Sequence, residues 1–319
     1  MKLTILIPAY NEEKTIGQVI EEIPKKIKSI DSIEIIVVDD GSLDKTASIS
    51  REKGATVFSF GNNGGLAKAI SFGFLKGIEK QTDILVILDA DNQYDSSEIP
   101  LLIEPIVKKK ADIVIGNRQV STLDHMPIQK RIGNQLVSKA LSRLIGEKIV
   151  DAQTGLRAFN NEALSRLHIF SGYTYTQETL MQAKFKGLKI LEIPVSFRRR
   201  HDESRLISNI FTYAARTTSL VSSTIIFYKS FKFFSILSIL LFSIGGGLSI
   251  FVLNHFYSTG GVTPYLPTAL LSVLFLIIAS ISTFFTAISS IMSRQSKLME
   301  EILYLLRKNS DLERKKDFD

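Results

Sequence analysis

The stretch Asp83-Ile84-Leu85-Val86-Ile87-Leu88-Asp89-Ala90-Asp91-Asn92-Gln93 joins a continuous apolar run to a polar turn. The apolar run is typical of a strand that is buried on both faces of a parallel sheet. Asp89 and Asp91 then stand at the carboxyl end of that strand, where open α/β sheets bind their ligands. Carboxylate oxygens suit Mg²⁺ or Mn²⁺, and Mg²⁺ is usually shared between one or two carboxylates and substrate phosphates. The stretch therefore indicates a site for a divalent cation and a diphosphate, unless one Asp only caps the next helix and the other is solvated.

The first part of the chain alternates between apolar runs and helical patterns. Six runs are predicted as strands, at residues 3–8, 34–38, 56–60, 84–88, 112–116 and 190–197. In the first helical pattern the apolar positions from Ile16 to Ile27 fall on one face, and Pro24 is expected to kink or end the helix. This alternation predicts an α/β fold, in which helices cover both faces of a mostly parallel sheet.

Polar or glycine-rich groups follow five successive predicted strands. They are Pro8-Ala9-Tyr10-Asn11-Glu12-Glu13, Asp39-Asp40-Gly41-Ser42, Gly61-Asn62-Asn63-Gly64-Gly65, the pair Asp89 and Asp91, and Asn117-Arg118. Parallel strands bring their carboxyl ends to one edge of the sheet, so this convergence predicts one composite binding site. The first strand is not followed by Gly-x-Gly-x-x-Gly, and the chain has no Walker A sequence. A dinucleotide oxidoreductase and a P-loop NTPase therefore lose their main support.

Length and composition limit the class of protein. The chain has 319 residues, of which 22% are charged and 45% hydrophobic, so it is neither disordered nor wholly embedded in a membrane. Its net charge of +7 suits an anionic partner, which can be nucleic acid, anionic lipid or an anionic substrate. The chain has no cysteine, which excludes disulfides and thiolate chemistry. The apolar run at the N-terminus is too short for a signal peptide and is predicted as the first strand.

An uncharged segment follows, because residues 233–293 contain no Lys, Arg, Asp or Glu. Within it, residues 233–253 and 266–292 each reach the roughly 20 residues that span a bilayer core. Gly260-Gly261 and Pro264 mark the short connection as a turn. We predict two transmembrane helices. The alternative is a buried helical hairpin of a soluble domain, although soluble helices rarely lack charge over such a length.

The Lys and Arg residues around this segment predict its orientation. The loop between the two apolar stretches has none, whereas the flanks contain Arg198, Arg199, Arg200, Arg205, Arg216, Lys229, Lys232, Arg294, Lys297, Arg307 and Lys308. The positive-inside rule then places both termini and the N-terminal domain in the cytoplasm, at the cell membrane. The predicted division is a domain at 1–205, a juxtamembrane segment at 206–232, two spans within 233–293 and a basic cytoplasmic tail at 294–319. The polar-apolar pattern of residues 206–228 fits either an amphipathic helix on the membrane surface or an ordinary domain helix.

Several of these motifs together resemble a known family. Pro8-Ala9-Tyr10-Asn11-Glu12, Val38-Asp39-Asp40-Gly41-Ser42 and Asp89-Ala90-Asp91-Asn92-Gln93 are similar to the motifs of inverting family 2 glycosyltransferases with the GT-A fold. Asp151-Ala152-Gln153-Thr154-Gly155 and the Arg-rich segment 198–205 resemble, more narrowly, dolichyl-phosphate mannose synthases and related polyprenyl-phosphate glycosyltransferases. The resemblance covers roughly residues 3–205, and the two apolar helices match the subgroup with a C-terminal membrane anchor.

The resemblance implies a role for each matching residue. The base and ribose of the donor nucleotide would be bound by Pro8, Tyr10, Glu12, Val38 and Asp40. The divalent cation, Mg²⁺ or Mn²⁺, and through it the donor diphosphate, would be bound by Asp89, Asp91 and Gln93. The acceptor phosphate would face Arg118 and Arg131, and the segment that closes over the phosphates matches Arg199, Ser204 and Arg205. Relatives have Lys at the position of Arg205. Arg keeps the positive charge but presents it on a planar guanidinium group instead of a compact ammonium group. Glu178 either caps its helix or contacts the donor sugar.

The chemistry of such a transfer agrees with these residue types. An acceptor phosphate monoester is already anionic near neutrality, because its second pKa is about 6, and it needs little help from a general base. The site must hold two anionic substrates in line and neutralise the leaving nucleoside diphosphate. A metal ion and several arginines meet both demands. One displacement at the anomeric carbon would invert its configuration.

The resemblance therefore predicts a membrane enzyme that moves a hexose from a nucleotide sugar, of the GDP-mannose or UDP-glucose type, to a polyprenyl (dolichyl) phosphate. The expected partners are the nucleotide sugar, the lipid phosphate and the bilayer, with no nucleic acid. One alternative is a processive polysaccharide synthase, which carries a Gln-x-x-Arg-Trp motif, whereas this chain has no Trp. A second alternative is a non-catalytic membrane-anchored sensor of nucleotide sugars. The motifs do not encode the donor sugar, the isoprenoid length or whether the chain forms a homo-oligomer.

Overall fold

The computed structural model describes residues 1–123, 126–169, 175–199 and 210–316. The chain forms two compact units. One unit comprises Met1–Thr218 together with Tyr304–Asp319, and the other comprises Ser219–Leu303. The first unit contains all the strand-end motifs, and the second contains the uncharged segment.

The first unit is built on a seven-stranded sheet. Its strands are β1 (Lys2–Ala9), β2 (Ser32–Asp39), β3 (Thr56–Ser59), β4 (Ile84–Ile87), β5 (Ile113–Asn117), β6 (Arg157–Asn160) and β7 (Ile190–Pro194). They lie in the order β3-β2-β1-β4-β6-β5-β7, and every pairing is parallel except the two that β6 makes. The predicted α/β fold with a mostly parallel sheet is confirmed, and each of the six predicted strands overlaps an observed one.

Helices connect the strands and cover the sheet. They are α1 (Ile16–Glu22), α2 (Thr46–Glu52), α3 (Leu66–Glu79), α4 (Ile99–Val107), α5 (Ile128–Ile145), α6 (Asn161–Arg166) and α7 (Tyr175–Phe185), followed by α8 (Ile210–Thr259) and α9 (Leu266–Lys316). The first helix ends two residues before Pro24, as the missing N–H of proline requires. Its apolar face, formed by Ile16, Val19 and Ile20, is buried in the same core as β1 and β4.

The central position of β1 and β4 explains their continuous apolar sequences. Seven of the eight residues of β1 and all four residues of β4 are buried. Burial on both faces removes the alternation of polar and apolar residues that a half-exposed strand shows. β1 pairs with β2 along its whole length, from Lys2 opposite Ser32 to Ala9 opposite Asp39. The motifs that follow these two strands therefore begin at the same level of the sheet.

The sequence predicts no strand at residues 157–160, where the structure has β6. The four residues Arg-Ala-Phe-Asn show no alternation and contain no β-branched residue, and Phe159 alone is of a type enriched in strands, so the sequence signal is too weak to mark one. Ala158 pairs antiparallel with Val86 of β4 and with Val114 of β5. β6 therefore lies between β4 and β5. Arg118, which follows β5, is one strand further from the turn after β4 than it would be if β4 and β5 were neighbours.

The second unit is a helical hairpin formed by parts of α8 and α9. Two stretches are long and apolar enough to cross a membrane, Ser230–Thr259 and Leu266–Gln295, with mean hydropathies of 2.4 and 2.3. Only 17% of the most apolar window of each stretch is buried, whereas the core hairpin of a soluble domain would be mostly buried. The exposed apolar surface supports the predicted spans at 233–253 and 266–292.

The two helices of the hairpin pack through small and aromatic side chains. Gly245 lies so close to α9 that an added Cβ would come within 3.0 Å of a side chain there. The hydroxyl of Ser238 donates to the carbonyl of Ala279 (3.2 Å), and Phe234 stacks on Phe285 with ring centroids 5.5 Å apart. Small residues that allow close approach of two backbones are typical of helix pairs in membranes.

Both helices extend beyond the predicted spans. α8 begins at Ile210 and continues without a break into the first apolar stretch, and α9 continues beyond the second to Lys316. The predicted boundaries near residues 232 and 294 are therefore changes of composition within continuous helices. The division into domains remains a prediction.

Candidate functional site

The turns after β1 and β2 are hydrogen-bonded to each other. The backbone N–H of Asn11 donates to Ser42 Oγ (2.9 Å), and Asn11 Oδ1 accepts from the N–H of Leu43 (2.8 Å). The N–H of Glu12 donates to Thr46 Oγ1 at the start of α2 (2.8 Å). These bonds join the two motifs into one surface at the edge of the sheet.

Four of the residues predicted to bind the nucleoside lie at this surface or directly beneath it. Pro8 and Val38 are register partners in β1 and β2, and both are buried. Tyr10 and Glu12 are half-buried in the turn that follows β1. Pro8 and Val38 can therefore form the floor of a site, whereas Tyr10 and Glu12 bring polar atoms to it. Their contacts with a nucleoside remain predictions.

Asp40 holds the glycine-rich turn after β3. Its carboxylate accepts from the N–H of Gly64 (2.7 Å) and from that of Gly65 (2.8 Å), and the residue is 4% exposed. Gly41, with a φ of +77°, lies so close to the same turn that an added Cβ would stand 2.8 Å from the carbonyl carbon of Asn62. The predicted nucleoside contact of Asp40 would therefore be made by a carboxylate that already accepts from two backbone donors.

The predicted metal ligands Asp89, Asp91 and Gln93 stand in one turn after β4. Asp91 Oδ1 accepts from the N–H of Gln93 (3.2 Å), and Asn92 between them has a φ of +57°, a region that Asn tolerates better than most residues. Among the described residues, no cluster of three or more His, Cys, Asp or Glu side chains could hold a metal ion by itself. Two half-buried carboxylates and an amide nevertheless fit Mg²⁺ or Mn²⁺ when substrate phosphates supply the other ligands.

Gly155 makes room for Asp89. An added Cβ at Gly155 would stand 2.4 Å from Asp89 Oδ2 and 2.8 Å from its Cγ, so a larger residue has to displace the carboxylate. The N–H of Gly155 donates to the hydroxyl of Tyr94 (3.0 Å), which is also bonded to Thr154 Oγ1 (3.0 Å). Burial raises the pKa of Tyr94 to about 12, so the phenol stays neutral near pH 7. The turn after β4 and the end of the Asp-Ala-Gln-Thr-Gly motif are therefore one packed structure.

The other end of that motif pairs with Arg118. Nε and Nη2 of Arg118 donate to the two carboxylate oxygens of Asp151, each at a distance of 2.8 Å. Asn134 Nδ2 donates to Asp151 Oδ1 (2.8 Å). Burial alone would raise the pKa of Asp151, but the bonds and the charge of Arg118 outweigh it and lower that pKa. The guanidinium also lies 5.2 Å from the ring centroid of Phe197 and borders a cavity of about 320 Å³. Its predicted contact with an acceptor phosphate remains a prediction, and it would be made by a cation that already has a carboxylate partner.

The remaining predicted phosphate ligands fall in two regions. Arg131, in the first turn of α5, donates to the carbonyls of Ser121 (3.5 Å) and Leu123, so it closes the loop that starts at Arg118. Arg199 is exposed beyond β7. The last two, Ser204 and Arg205, lie outside the described residues. The roles of all of these residues remain predictions.

Arg198 has a structural role that the sequence does not predict. Its guanidinium donates to Glu22 of α1 (2.8 Å) and to Asn92 Oδ1 (3.0 Å), and it pairs with Asp95 (3.0 Å). Its N–H donates to the carbonyl of Gln93 (2.7 Å), and Gln93 Nε2 donates back to the carbonyl of Arg198 (3.3 Å). The segment after β7 is thereby fixed on the turn after β4. Nothing in the local sequence distinguishes Arg198 from the arginines that follow it.

Arg157 in β6 is a fully buried cation that belongs to none of the motifs predicted from the sequence. Its Nε and Nη2 donate to the carbonyls of Thr154 (3.0 Å) and Ala152 (2.9 Å). Its Nη1 donates to the carbonyl of Thr176 (2.6 Å) and to Thr179 Oγ1 (2.9 Å) in α7. Burial lowers the pKa of Arg157, although an arginine side chain stays protonated in proteins.

The bonds of Arg157 connect the Asp-Ala-Gln-Thr-Gly motif to α7. That helix contains Glu178, which is 7% exposed and lies 3.4 Å from Gln182 Nε2. The sequence gives one signal for Arg157: it stands alone within the apolar run Leu156-Arg157-Ala158-Phe159. A charged residue in such a run is rarely buried unless its donors are satisfied, so the run predicts that hydrogen-bond acceptors surround Arg157.

Comparisons with known proteins agree with this arrangement. The sequence model described as Glycosyl transferase family 2 matches residues 4–167, which contain most of β1, all of β2 to β6 and the turns after them. The UDP-N-acetylglucosamine–dolichyl-phosphate N-acetylglucosaminyltransferase of Methanococcus voltae is 32% identical over 213 residues, which cover 60% of this chain and 83% of that protein. The dolichol-phosphate mannosyltransferase of Pyrococcus furiosus is 31% identical over 228 residues, which cover 67% of this chain and 62% of that protein.

A solved structure shares the fold. Glucosyl-3-phosphoglycerate synthase from Mycobacterium tuberculosis, in complex with Mn²⁺, UDP-glucose and phosphoglyceric acid, matches with a TM-score of 0.54. The match covers 69% of this chain and 80% of that chain at 22% identity. At this level of identity the likeness concerns the fold, and it confirms the predicted GT-A architecture.

Proposed function

The chain belongs to glycosyl transferase family 2, and we propose that it transfers a hexose from a nucleotide sugar to a polyprenyl phosphate with inversion at the anomeric carbon. The observation that carries the proposal is the fit of Asp89 against Gly155. It joins the predicted diphosphate-binding turn to a motif whose other end, Asp151, holds Arg118. Groups for the donor and for the acceptor are therefore parts of one connected structure.

The names of the relatives support this class of reaction. One relative is named as a dolichyl-phosphate N-acetylglucosaminyltransferase and the other as a dolichol-phosphate mannosyltransferase. Both names specify a lipid phosphate as acceptor, whereas the sugars differ. We therefore propose the acceptor class as polyprenyl (dolichyl) phosphate and the donor as a nucleotide hexose, of the GDP-mannose or UDP-glucose type.

Asp89, Asp91 and Gln93 would hold Mg²⁺ or Mn²⁺ together with the donor diphosphate. When bound, the cation would neutralise the charge of the leaving nucleoside diphosphate. The protein fixes the ligands beforehand: Gly155 leaves space for Asp89, the N–H of Gln93 orients Asp91, and Arg198 orients Gln93. The fold neighbour in complex with Mn²⁺ and UDP-glucose supports a divalent cation in this role.

The acceptor would bring its own nucleophile, because a phosphate monoester is anionic near neutrality. Arg118 and Arg131 flank the same loop, and guanidinium groups hold phosphate through paired, charge-assisted hydrogen bonds. Arg199, Ser204 and Arg205 would close over the phosphates. A neutral polyprenol would lack both the negative charge and an ionised nucleophile, so the protein would discriminate against it.

The membrane assignment rests on the two candidate spans and on their flanks. With the Lys and Arg residues outside the hairpin loop, the positive-inside rule orients both termini and the catalytic unit to the cytoplasm. A lipid acceptor in the inner leaflet would then lie in the bilayer that anchors the enzyme. A processive polysaccharide synthase is disfavoured by the absence of Trp, and a sensor by the complete set of predicted metal ligands.

The direct test is to supply membranes containing the full chain with a panel of nucleotide sugars and a polyprenyl phosphate, and to identify the glycolipid by mass. We expect one donor to yield a hexosyl phosphopolyprenol and release its nucleoside diphosphate. Polyprenol without phosphate should yield no product. Equal use of polyprenol and its phosphate, or release of nucleoside diphosphate that does not depend on lipid, would contradict the proposal.

Arg131→Ala tests the acceptor side separately. Loss of a hydrogen bond to a charged group costs about 1.5–3 kcal/mol, so KM for polyprenyl phosphate should rise by roughly 10- to 150-fold. Binding of the nucleotide sugar should stay near wild type. Arg51→Ala, at an exposed position on α2, serves as a control that removes a cation elsewhere. A loss of nucleotide affinity with unchanged acceptor KM would contradict the assignment of Arg131.

A further inference from the structure

We propose that α5 lies on the surface of the bilayer through an exposed face that combines apolar and basic side chains. Ile128, Ile132 and Leu136 are 69%, 51% and 60% exposed. Residues four apart lie on one face of a helix, so these three side chains form a continuous apolar stripe. The opposite face, with Val137 and Leu141, is buried against the rest of the unit.

Basic residues continue the same face toward the end of the helix. Lys139 and Arg143 follow Ile128 by about three and four helical turns, and both are exposed. The whole helix contains four Lys or Arg residues and no Asp or Glu. Each of the other helices described between residues 1 and 199 contains at least one Glu. An amphipathic helix with a basic face and exposed apolar residues is typical of attachment to an anionic bilayer surface.

Exposed apolar side chains elsewhere in the described part of this unit are scattered. Among the described residues from 1 to 199, no two of the other exposed large apolar side chains are three or four residues apart on one helix, so they do not form a stripe; they are Met1, Leu43, Leu66, Leu75, Leu101, Val150 and Phe185. Isolated apolar residues on a protein surface are normal and need no partner, whereas a contiguous apolar patch indicates a contact.

A bilayer fits this face better than a second copy of the chain. In a parallel pair of α5 helices the two basic ends would meet, and in an antiparallel pair each apolar half would face the basic half of its partner. A bilayer accepts both halves, because apolar side chains enter the boundary of the acyl region while Lys and Arg meet anionic headgroups. The two candidate spans of this same chain would also anchor it to a bilayer.

The contact has a consequence for the acceptor, and this step rests on the proposed function. Arg131 is in the first turn of α5 and closes the loop that starts at Arg118. A helix held at the level of the headgroups would keep this loop at the depth where the phosphate of a lipid acceptor lies. The attachment would therefore favour a membrane-embedded acceptor over a soluble one.

A fluorescence experiment tests the contact without turnover. The chain has no cysteine, so Leu136→Cys in the full protein can be labelled at one site with an environment-sensitive dye. In nanodiscs that contain anionic lipid, nitroxide-labelled lipids should quench most of its emission. Leu101→Cys on α4, which is 59% exposed, is the matched control and should not be quenched. Emission from Leu136→Cys that is insensitive to nitroxide lipids, whether or not another protein shields the dye, would overturn the proposal.

A kinetic experiment tests the consequence for the acceptor. Leu136→Asp should raise the apparent KM for membrane-embedded polyprenyl phosphate by about tenfold or more, since a charge replaces a buried apolar contact. KM for a short-chain, water-soluble prenyl phosphate should not change, and Leu101→Asp should alter neither value. If the protein proves not to be a glycosyltransferase, the quenching result still stands. An equal rise of KM for both acceptors, or no rise for either, would overturn the membrane role of α5.

Discussion

Replacing Gly155 by alanine should disable the turn that follows β4 without unfolding the protein. The new Cβ would stand 2.4 Å from Asp89 Oδ2, whereas ordinary van der Waals contact begins at 3.4 Å. The backbone of Gly155 is not in the left-handed region, so alanine is compatible with the main chain there. The strain therefore falls on Asp89, which has to move by about 1 Å.

The size of the effect follows from that displacement. A misplacement of about 1 Å in a reacting assembly can cost 10²-fold in rate. A factor of 10² equals about 2.7 kcal/mol of transition-state stabilisation. The cost to stability should be that of inserting one methyl group into a packed site, about 1–3 kcal/mol, which a stable domain survives.

The assay measures the rate of glycolipid formation as Mn²⁺ is titrated at saturating nucleotide sugar. For Gly155→Ala we expect kcat/KM to fall by about 10²-fold and the Mn²⁺ concentration for half-maximal rate to rise. Gly261→Ala, in the loop of the hairpin where an added Cβ meets nothing within 4 Å, should behave as wild type. Wild-type activity and Mn²⁺ dependence in Gly155→Ala would refute the inference that Asp89 must keep its position, and so would a loss of activity explained wholly by unfolding.

Three other changes test separate parts of the structure. Asp91→Ala should lower turnover by about 10²-fold or more with the fold intact, and a chelator should abolish wild-type activity until Mg²⁺ or Mn²⁺ is restored; full activity in chelator would exclude the metal role. A cysteine at Ser258 should react with an impermeant reagent from outside intact cells and one at Asp311 should not, whereas the reverse pattern would overturn the orientation. Asp151→Asn leaves Arg118 buried without its carboxylate, so the free energy of unfolding should fall by about 3–5 kcal/mol at pH 7. Because the folded pKa of this carboxyl is depressed, the extra stability of the wild type over Asp151→Asn is complete above the unfolded pKa of about 3.9 and disappears as the pH falls through the lower folded value. Denaturant titrations at several pH values measure this difference in free energy of unfolding. A difference that does not change with pH would show that the ion pair contributes nothing.

The sheet, and the edge of it on which the candidate site lies, could be predicted from the sequence because both depend on local patterns. Apolar runs mark the buried strands, and parallel strands bring the residues that follow them, such as Asp40 and Asp89, to one edge. Strand β6 could not be predicted in this way, because the apolar residues among its four positions show no regular spacing. It is buried because β4 and β5 pair with it on both sides.

Partners of the charged side chains could not be predicted, because they lie far away in the chain. Arg118 meets Asp151 across 33 positions, and Gln93 meets Arg198 across 105. Sequence alone gives the type of each residue but not which of several arginines forms an ion pair with a given carboxylate. For this reason the sequence places Arg198 only among the basic residues that flank the uncharged segment, whereas in the structure it binds Glu22 and Asn92.

The side chain of Arg157 also determines how this region opens. It supplies one cation to the carbonyls of Ala152, Thr154 and Thr176, so a fluctuation that releases any of them leaves a buried charge with fewer acceptors. The motif and the start of α7 should therefore separate from β6 together rather than one after the other. Their backbone amides would then exchange with deuterium as a single cooperative group, with one opening free energy for segments more than twenty residues apart.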